Sequence, residues 1–444
     1  MVKKKKLSPV QIITLSFAAV TLIGAVLLSL PIASRGGEVS FIDALFTSTS
    51  ASCVTGLVVG DTYSMWSPFG QAVIIALIQI GGIGIITLVM YFLSVLGAKI
   101  GVKGVFMLQE TMGADSLSGL VKMTRFIAAG ILIVELCGAL LLMPVFIPDF
   151  GVLRGVLYSF FHSISAFCNA GFDLMGYNGG SSLTAYCGDI YFNIVICALI
   201  VFSGLGFFVW LDLLKCKFRF SKLSLHSKIV LVTTTWLVLG GAILFFILFN
   251  NSAAAADLSL SEKVTASFFQ SVTARTAGFY TVDLVNIGGA AQMLMIVLML
   301  IGGSPASTAG GIKTTTFAVL ILFVRSIFSG KEDVEVFGRR IEKNVQRTAV
   351  AVFVLYLGLA LCAGIAISAI EGADIVACLF ETFSAIATVG LSLSLTPTFS
   401  ETSKIIVIVL MFIGRVGGIT VLLSLTGKKS DSAYRYPAEN ITVG

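Results

Sequence analysis

The chain has 444 residues, of which 57% are hydrophobic and 12% are charged, with a formal net charge of +6. Its mean hydropathy is +1.00, and runs of about 20 apolar residues, the length of a bilayer-spanning helix, recur along it. This composition excludes a soluble protein and predicts a polytopic membrane protein.

The predicted elements recur four times. Each copy has an apolar span, a short half-helix, a glycine turn and a second apolar span. The half-helices are too short to cross a bilayer, and re-entrant segments of this kind are tolerated where protein surrounds them. We assign the repeats to residues 1–100, 101–220, 221–345 and 346–444. The predicted fold class is an all-α membrane protein with four parallel repeats around a pseudo-fourfold pore.

Each repeat contributes three predicted helical elements in the same chain order. The first spans are expected near 11–30, 126–146, 229–249 and 349–370. The half-helices are expected near 41–52, 152–167, 260–273 and 375–385. The second spans are expected near 71–96, 190–214, 290–328 and 403–425. Glycine clusters in the second spans at 81–84 and 203–206 fit either close helix packing or a role in the pore. In the clusters at 302–303 and 414–418, polar neighbours favour a role in the pore.

Basic residues concentrate at the termini and between the repeats. Of the 29 Lys and Arg, 22 lie in 1–10, 97–125, 212–228, 325–347 and 427–444. Positive charge marks the cytoplasmic side of membrane proteins. We therefore expect both termini in the cytoplasm of a bacterium, with the chain in its inner membrane. Topology accounts for the basic segments, so no nucleic-acid partner is expected.

One phrase follows every half-helix, namely a residue triplet that ends in glycine and precedes Leu or Phe. The copies are Val54-Thr55-Gly56, Asn169-Ala170-Gly171, Thr276-Ala277-Gly278 and Thr388-Val389-Gly390. Backbone carbonyls around one axis can replace the water shell of a cation, and glycine reaches the required dihedral angles without steric cost. Four copies in matched context predict a selectivity filter. Only the fourth closely resembles a potassium filter, so the ring is predicted to be uneven.

Charged residues near the triplets suggest further roles. Four outer acids would form a negative vestibule that concentrates cations, or they are ordinary solvated loop acids: Asp43, Asp61, Asp173 and Asp283. Arg275 precedes the third triplet and would oppose a passing cation. We expect it to point away from the axis and to pair with Glu262 or Glu381, between which the sequence does not choose.

The second span of repeat three is broken by a segment rich in glycine and hydroxyl residues. Non-helical backbone at membrane depth must be buried or line a cavity, so we predict a gate below the filter. Its candidate residues are Gly302, Gly303, Ser304, Pro305, Ser307, Thr308, Gly310, Gly311 and Lys313. The end of this segment faintly resembles a Walker A motif, but its spacing is wrong and no strand precedes it. Nucleotide binding by this chain is therefore not expected.

Arg415 lies inside the last span between glycines. A charge at that depth is costly and usually functional. It would either raise the barrier to cations between filter and cytoplasm, or form a structural pair, for which the gate segment is a candidate partner.

With these features the chain resembles the Trk/Ktr/HKT superfamily of potassium transporters and is most similar to the Ktr membrane subunit. The resemblance rests on the four triplets, the 302–316 segment, the 414–418 cluster and the tail at 436–444. It implies a homodimer in the lipid bilayer with one pore in each protomer. It also implies a cytosolic RCK-type ring that binds ATP or ADP and controls the gate. Glycine in all four triplets fits the potassium-selective members, whereas serine in the first marks sodium-preferring ones.

The functional hypothesis is potassium uptake through a four-repeat filter, down the electrochemical gradient. The alternative is a sodium-coupled symporter with alternating access, and many members of the superfamily are influenced by sodium. A membrane enzyme is a weaker hypothesis, because no nucleophile pair or His/Cys/Asp cluster lies in any span. No catalytic residue is expected.

Overall fold

The computed structural model describes residues 9–84, 120–178, 181–417 and 439. The described residues form four copies of a first helix, a pore helix and a second helix. The first helices are Pro9–Leu28, Leu120–Phe150, Leu225–Phe249 and Lys343–Glu371. The pore helices are Phe41–Ser52, Val152–Cys168, Leu260–Thr273 and Ile375–Ile386. The all-α, four-repeat architecture predicted from the sequence is confirmed.

The second helices of repeats two and three are divided. In chain order, the helical parts of the four second helices are Pro68–Ile83, Ile190–Gly204 with Phe207–Lys215, Gly289–Leu300 with Thr314–Phe328, and Glu401–Val416. A short helix, Thr62–Met65, precedes the first of them, and 3₁₀ turns lie at Pro31–Ala33, Met175–Asn178, Thr184–Tyr186, Phe220–Lys222, Ala253–Ala255, Leu284–Asn286 and Thr396–Thr398.

A glycine with positive φ follows the helix in repeats one and four and lies in the break of repeat two. Gly84, Gly206 and Gly417 have φ of 84°, 87° and 97°, in a region that glycine adopts without strain. In repeat two the chain continues beyond the break at an angle of 91°. The prediction of 190–214 as one span is therefore wrong, whereas the spans predicted at 71–96 and 403–425 are helical as far as Ile83 and Val416. The parts of these two spans after residues 84 and 417 lie outside the described residues.

Three of the four pore helices begin at a side-chain cap, and the second begins at Gly151 without one. The Ser40 hydroxyl accepts a hydrogen bond from the Asp43 N–H (3.1 Å), and the Asp374 carboxylate accepts one from the Ala377 N–H (3.1 Å). Such caps satisfy N–H groups that the first turn leaves without partners. Two predicted half-helices, 41–52 and 260–273, have the observed bounds.

Each first helix presents a glycine beneath a hydroxyl of its own pore helix. The pairs are Gly24 with Ser48, Gly138 with Ser163, Gly241 with Ser271 and Gly364 with Thr382. In three of them the hydroxyl donates to a backbone carbonyl of the first helix: Ser48 to Thr21 (2.7 Å), Ser163 to Glu135 (2.6 Å) and Ser271 to Val238 (2.7 Å). A side chain at these glycines would push the two helices apart, so the pairs fix the depth of the pore helices.

The repeats close into a circle. The second helix of each repeat packs against the pore helix of the next, and the second helix of repeat four packs against the pore helix of repeat one. An ion pair between Lys404 and Asp43 (2.7 Å) joins the same two repeats. The outward faces are apolar, with Trp236 and Ile243 largely exposed. Among the described helices, four are long and apolar enough to span a bilayer, or five if the bent pair of repeat two is one span.

A two-stranded antiparallel hairpin joins repeats three and four. Its strands, Val334–Val336 and Arg339–Ile341, turn at Phe337 and Gly338, which have φ of 51° and 71°. Two residues with positive φ are typical of tight hairpin turns. The hairpin was not predicted from the sequence, in which 325–347 stands out only as a basic segment.

Candidate functional site

The four glycine triplets meet around one axis. We call them together the glycine ring: Val54–Gly56, Asn169–Gly171, Thr276–Gly278 and Thr388–Gly390. Each ring glycine faces the carbonyl that precedes the glycine of a neighbouring repeat. A Cβ on Gly56 would lie 2.5 Å from the Ala170 oxygen, one on Gly171 2.9 Å from the Ala277 oxygen, and one on Gly278 2.5 Å from the Val389 oxygen. Gly390 faces the Thr55 oxygen and closes the ring.

The backbone of the ring has the same pattern in all four repeats. The first and last residues of every triplet have positive φ, and the middle residues do not. This alternation turns successive carbonyls toward the same side of the chain. The first residues are Val54, Asn169, Thr276 and Thr388, with φ of 57°, 59°, 78° and 51°. Positive φ is strained for β-branched residues, so the surrounding fold imposes the geometry. The backbone therefore lacks the unevenness predicted from the side chains.

Hydroxyl groups of the pore helices anchor the ring. The Gly56 and Gly390 N–H groups donate to the hydroxyls of Ser50 (3.1 Å) and Ser384 (3.0 Å). In repeats two and three, Ser165 and Thr273 donate instead to the carbonyls after the ring glycines, those of Phe172 (2.7 Å) and Phe279 (2.6 Å). Each pore helix also ends just before its triplet, so the negative ends of four helix dipoles converge there. Both effects favour a cation on the axis.

The third triplet has a distinct anchor. Its hydroxyl, Thr273, precedes the glycine by five residues, whereas Ser50, Ser165 and Ser384 precede theirs by six. Arg275 lies in this shorter segment and is 5% exposed. Its Nη2 donates to Thr234 Oγ1 of the first helix at 3.5 Å, so the side chain reaches toward that helix.

Neither carboxylate proposed as the partner of Arg275 is bound to it. Glu262 forms a capping box with Ser259 at the start of the third pore helix. Glu381 accepts hydrogen bonds from the loop that follows the fourth triplet. The prediction that Arg275 pairs with Glu262 or Glu381 is therefore wrong, because local backbone and hydroxyl donors already occupy both groups.

A cavity of about 220 Å³ opens on one side of the ring, which we call the mouth cavity. It is lined by the four ring glycines and by Asp61 and Asp173. Burial raises the pKa of Asp173 to about 7, and the nearby Asp61 carboxylate adds to this effect. Two of the four predicted vestibule acids therefore lie at the mouth. Asp43 pairs with Lys404, and Asp283 is exposed and caps a 3₁₀ turn.

On the opposite side of the ring lies the segment 301–313, which we call the inner loop. Gly310 packs directly against the Thr388 side chain, and a Cβ on Gly302 would lie 3.2 Å from a methyl of Thr276. The Thr308 hydroxyl donates to the Phe167 carbonyl near the end of the second pore helix (3.3 Å). The inner loop thus lies against the ring in repeats three and four and against the end of the pore helix in repeat two.

The inner loop is a folded unit. Its two ends are joined by hydrogen bonds from the Gly302 N–H to the Ile312 carbonyl (2.9 Å) and from the Thr314 N–H to the Gly303 carbonyl (3.0 Å). The hydroxyls of Ser304 and Thr314 are 3.0 Å apart. Ser307 donates to the Ser304 carbonyl (2.7 Å), which braces the turn.

The tip of the inner loop docks into the break of the second helix of repeat two. The Ser304 N–H donates to the Gly204 carbonyl (2.9 Å), and the Phe207 N–H donates to the Ala306 carbonyl (2.8 Å). A Cβ on Gly206 would lie only 2.5 Å from the Pro305 carbonyl oxygen. The glycine cluster at 203–206, which the sequence left open between packing and pore roles, therefore receives the inner loop.

Arg415 links the inner loop to repeat one. Its guanidinium donates from Nη1 to the Thr308 carbonyl and from Nη2 to the Gly81 carbonyl. Lys313 donates to the Ala309 carbonyl (2.6 Å). Both cations line a second cavity, of about 260 Å³, together with Gly311 and Gly417. We call it the inner cavity. The ring and the inner cavity are thus separated by a loop that two cationic side chains hold.

Sequence reasoning missed several residues of this site. The helix ends at Gly84 and Gly417, the break at Gly206 and the acceptor carbonyl of Gly81 had no signal beyond the glycine clusters. Within the described ranges, no three His, Cys, Asp or Glu residues lie together as a metal site requires. The chemistry that this arrangement offers is therefore a ring of carbonyls between two cavities.

Comparisons with known proteins give a consistent result. A family described as TrkH, cation transport protein, matches residues 5–436. The potassium/sodium uptake protein NtpJ of Enterococcus hirae is 41% identical over 99% of this chain and 98% of its own. The Ktr system potassium uptake protein B is 39% identical in Bacillus subtilis, over 100% and 98% of the two chains, and 37% identical in Vibrio alginolyticus, over 98% and 94%.

A solved structure shares the fold. The potassium transporter TrkH from Vibrio parahaemolyticus has a TM-score of 0.76 and 18% identity, over 96% of this chain and 86% of that protein. The resemblance recognised in the sequence is confirmed by these matches.

Proposed function

The chain belongs to the TrkH family of cation transport proteins, and from this premise we propose that it takes up potassium through the glycine ring. The observation that carries the proposal is the closed ring, in which four triplets share one backbone pattern and face one another's carbonyls. Such carbonyls replace the water shell of potassium. The relatives from Enterococcus, Bacillus and Vibrio are described as potassium uptake proteins, which supports potassium as the ion.

In this proposal the ion follows one path. Asp61 and Asp173 attract it into the mouth cavity, and the ring carbonyls replace its water. The inner loop, held by Arg415, closes the way to the inner cavity and must shift before the ion passes. A membrane potential of about 100 mV supplies roughly 2.3 kcal/mol per charge, so no chemical reaction is needed. The protein acts as a transporter and not as an enzyme.

The setting of the protein is also proposed. The distribution of Lys and Arg supports an inner-membrane location with both termini in the cytoplasm. The family resemblance supports a homodimer regulated by a cytosolic RCK-type ring that binds ATP or ADP. Nucleotide control would come from that partner, because the Walker-like residues Gly310 and Gly311 are buried beneath the ring.

The second candidate function involves sodium, either coupled to potassium transport or transported itself. The Enterococcus hirae relative is named a potassium/sodium uptake protein, which favours a sodium-coupled symporter or sodium as a second transported ion. The two functions differ in flux. Symport requires a fixed ratio of sodium to potassium, whereas a pore carries potassium without sodium and gives single-channel currents.

The direct test is uptake of radioactive potassium and sodium by a bacterial strain that lacks its own potassium uptake systems. Cells that express this chain, with and without an RCK-type partner, should take up potassium at low external concentration. Cells that express a chain with Gly278→Ala are the control. Absence of potassium uptake by well-expressed wild-type protein, with or without the partner, would overturn the proposed function.

A further inference from the structure

A carboxylate behind the fourth triplet has no role in the proposed ion path. Glu381 lies in the fourth pore helix and is fully buried. Its Oε1 accepts hydrogen bonds from the Ser392 hydroxyl (2.6 Å) and the Leu393 N–H (2.9 Å), and its Oε2 accepts one from the Thr396 hydroxyl (2.6 Å). The ion pairs found in the described part of the chain involve other carboxylates. Glu381 is thus held by donors that carry no charge.

The segment that Glu381 holds forms part of the mouth. Ser392 and Ser394 line the mouth cavity beside Gly390, and the Ser394 N–H donates to the Ser392 hydroxyl (2.9 Å). The chain therefore runs from the ring glycine into a loop whose first residues are tied to the pore helix by one carboxylate. Movement of that carboxylate would move the wall of the mouth and the end of the fourth triplet.

In repeat two, a pore-helix side chain also binds the loop that follows the triplet. In each repeat one residue directly precedes the hydroxyl that packs on the first-helix glycine, and these residues are Thr47, His162, Gln270 and Glu381. His162 Nε2 accepts from the Leu174 N–H (3.4 Å), while its Nδ1 donates to the Tyr158 carbonyl (2.8 Å). Leu174 and Leu393 occupy the same place, three residues after their ring glycines.

The other two repeats lack this tie. Thr47 and Gln270 are buried, and their side-chain polar atoms have no hydrogen-bond partner among the residues that the structure describes. The backbone of the ring has the same pattern in all four repeats, but only repeats two and four have a pore-helix side chain that binds the loop after the triplet. The fourth repeat is the one whose support is a carboxyl group.

A buried carboxylate without a cationic partner is costly, even when its lone pairs are satisfied. A cation in the ring would offset that cost, and the carboxylate would in turn favour the cation. We propose that Glu381 is a positioning residue that fixes the mouth end of the fourth triplet, and that its negative charge raises the affinity of the ring for potassium. This inference rests on the proposed function and assigns a specificity role to a residue outside the ion path.

The test compares Glu381→Gln with Glu371→Gln in the full chain. Glu371 also accepts from a serine hydroxyl and N–H, those of Ser400 (2.6 and 3.0 Å), but on an exposed surface. In Glu381→Gln, the potassium concentration that gives half-maximal uptake should rise about tenfold. This factor corresponds to the free energy of one hydrogen bond to a charged group. The potassium-to-sodium uptake ratio should fall. Both quantities should stay at wild-type values in Glu371→Gln.

Purified protein gives a second measurement. Potassium should raise the unfolding temperature of the wild type and of Glu371→Gln, because a bound ligand stabilises the folded state. The same potassium concentration should raise that of Glu381→Gln less. Reduced maximal uptake with unchanged half-saturation, ion ratio and potassium-dependent stabilisation would mean a merely structural residue and would overturn the inference.

If Glu381→Gln does not accumulate, a variant that removes hydrogen-bond donors to Glu381 tests the inference instead. The double variant Ser392→Ala with Thr396→Val keeps the carboxylate but removes two of its donors. A raised half-saturation and a lowered ion ratio in this variant support the inference, and wild-type values overturn it. If the wild type itself takes up no potassium, it is the proposed function that fails.

Discussion

The two sides of the pore are built on different plans. All four repeats contribute the same short backbone pattern to the glycine ring, and each repeat touches its neighbour in the same manner. The closure beneath the ring comes from one segment of repeat three, which Arg415 of repeat four ties to repeat one. A site repeated four times can coordinate a symmetric ion. A closure made once, by a segment that packs against the Thr388 side chain, can change through movement of that one segment.

The largest effect is expected from a side chain in the ring. In Gly56→Ser, the new Cβ would lie 2.5 Å from the Ala170 carbonyl oxygen, at a backbone position with φ of 95°. The carbonyl must move, so we expect potassium-over-sodium discrimination to fall by about a hundredfold or more, since several carbonyls coordinate each ion. The measurement is the ratio of potassium to sodium uptake at matched expression.

Gly37→Ser is the matched control for this change. Gly37 has φ of 96° and open space around its Cα, so it carries the same backbone strain away from the ring. Similar uptake ratios in the two variants would contradict the assignment of the ring as the filter.

The next effect concerns Arg415, which belongs to the closure. A unit charge about 6 Å from a passing ion, at an effective dielectric of about 20, raises its energy by roughly 3 kcal/mol. Arg415→Gln and Arg415→Ala should therefore increase maximal uptake by up to about a hundredfold. Half-saturation by potassium should change little, because it belongs to the ring.

Arg415→Lys separates the two roles that the sequence left open. Lysine keeps the charge, but one ammonium group is a poor substitute for a planar guanidinium that donates to the Thr308 and Gly81 carbonyls together. Fast uptake in the lysine variant would indicate that Arg415 acts by holding the loop. Lower maximal uptake in the glutamine and alanine variants would contradict the barrier role.

Shortening the inner loop should have a smaller effect of the same sign. Deletion of residues 304–309 removes the contacts with Gly204 and Phe207 and the acceptor of Arg415. We expect maximal uptake to rise about tenfold, which corresponds to about 1.4 kcal/mol, because the deletion loosens the closed form but leaves the Arg415 charge in place. Dependence on a cytosolic partner should weaken. Folded protein that carries potassium no faster than the wild type would contradict a gating role.

The smallest effect is expected at the mouth. Because the pKa of Asp173 is raised to about 7, its carboxyl is mostly neutral at pH 6 and mostly charged at pH 8. Raising the external pH across this range should lower half-saturation by potassium about two- to threefold, through attraction of the cation. Asp173→Asn should remove this pH dependence, and Asp283→Asn, at an exposed site, should retain it. A pH dependence that survives in Asp173→Asn would assign it to another group.

The same contrast explains what the sequence could predict. The bounds of the pore helices are predictable almost to the residue, because a recurring glycine phrase follows all four and a side-chain cap starts three of them. The break at Gly206 was missed because its cause is tertiary, namely the Pro305 carbonyl of another repeat. The break in repeat three was visible because its glycines, proline and hydroxyl residues are consecutive in sequence.

Charged residues were harder to place than the backbone. A buried arginine leads one to expect a carboxylate partner, yet Arg275 contacts the hydroxyl of Thr234. The sequence offers Glu381 only as that partner, because its loop donors lie beyond the triplet, where no pattern marks them. The hairpin at 334–341 was missed because its strands have three residues each, too short for a periodic signal.

The junction between repeats one and four also sets the order of synthesis and conduction. Gly390 meets Thr55, and Lys404 meets Asp43, only when the last-synthesised helices reach the first. A nascent chain that has been synthesised only to the end of repeat three supplies three of the four triplets, so the ring is not yet closed. Conduction should therefore begin only at completion of synthesis, which would protect the host membrane from leak during biogenesis. A truncated chain ending before residue 346 should insert in the membrane yet carry no potassium, and flux through it would disprove this order.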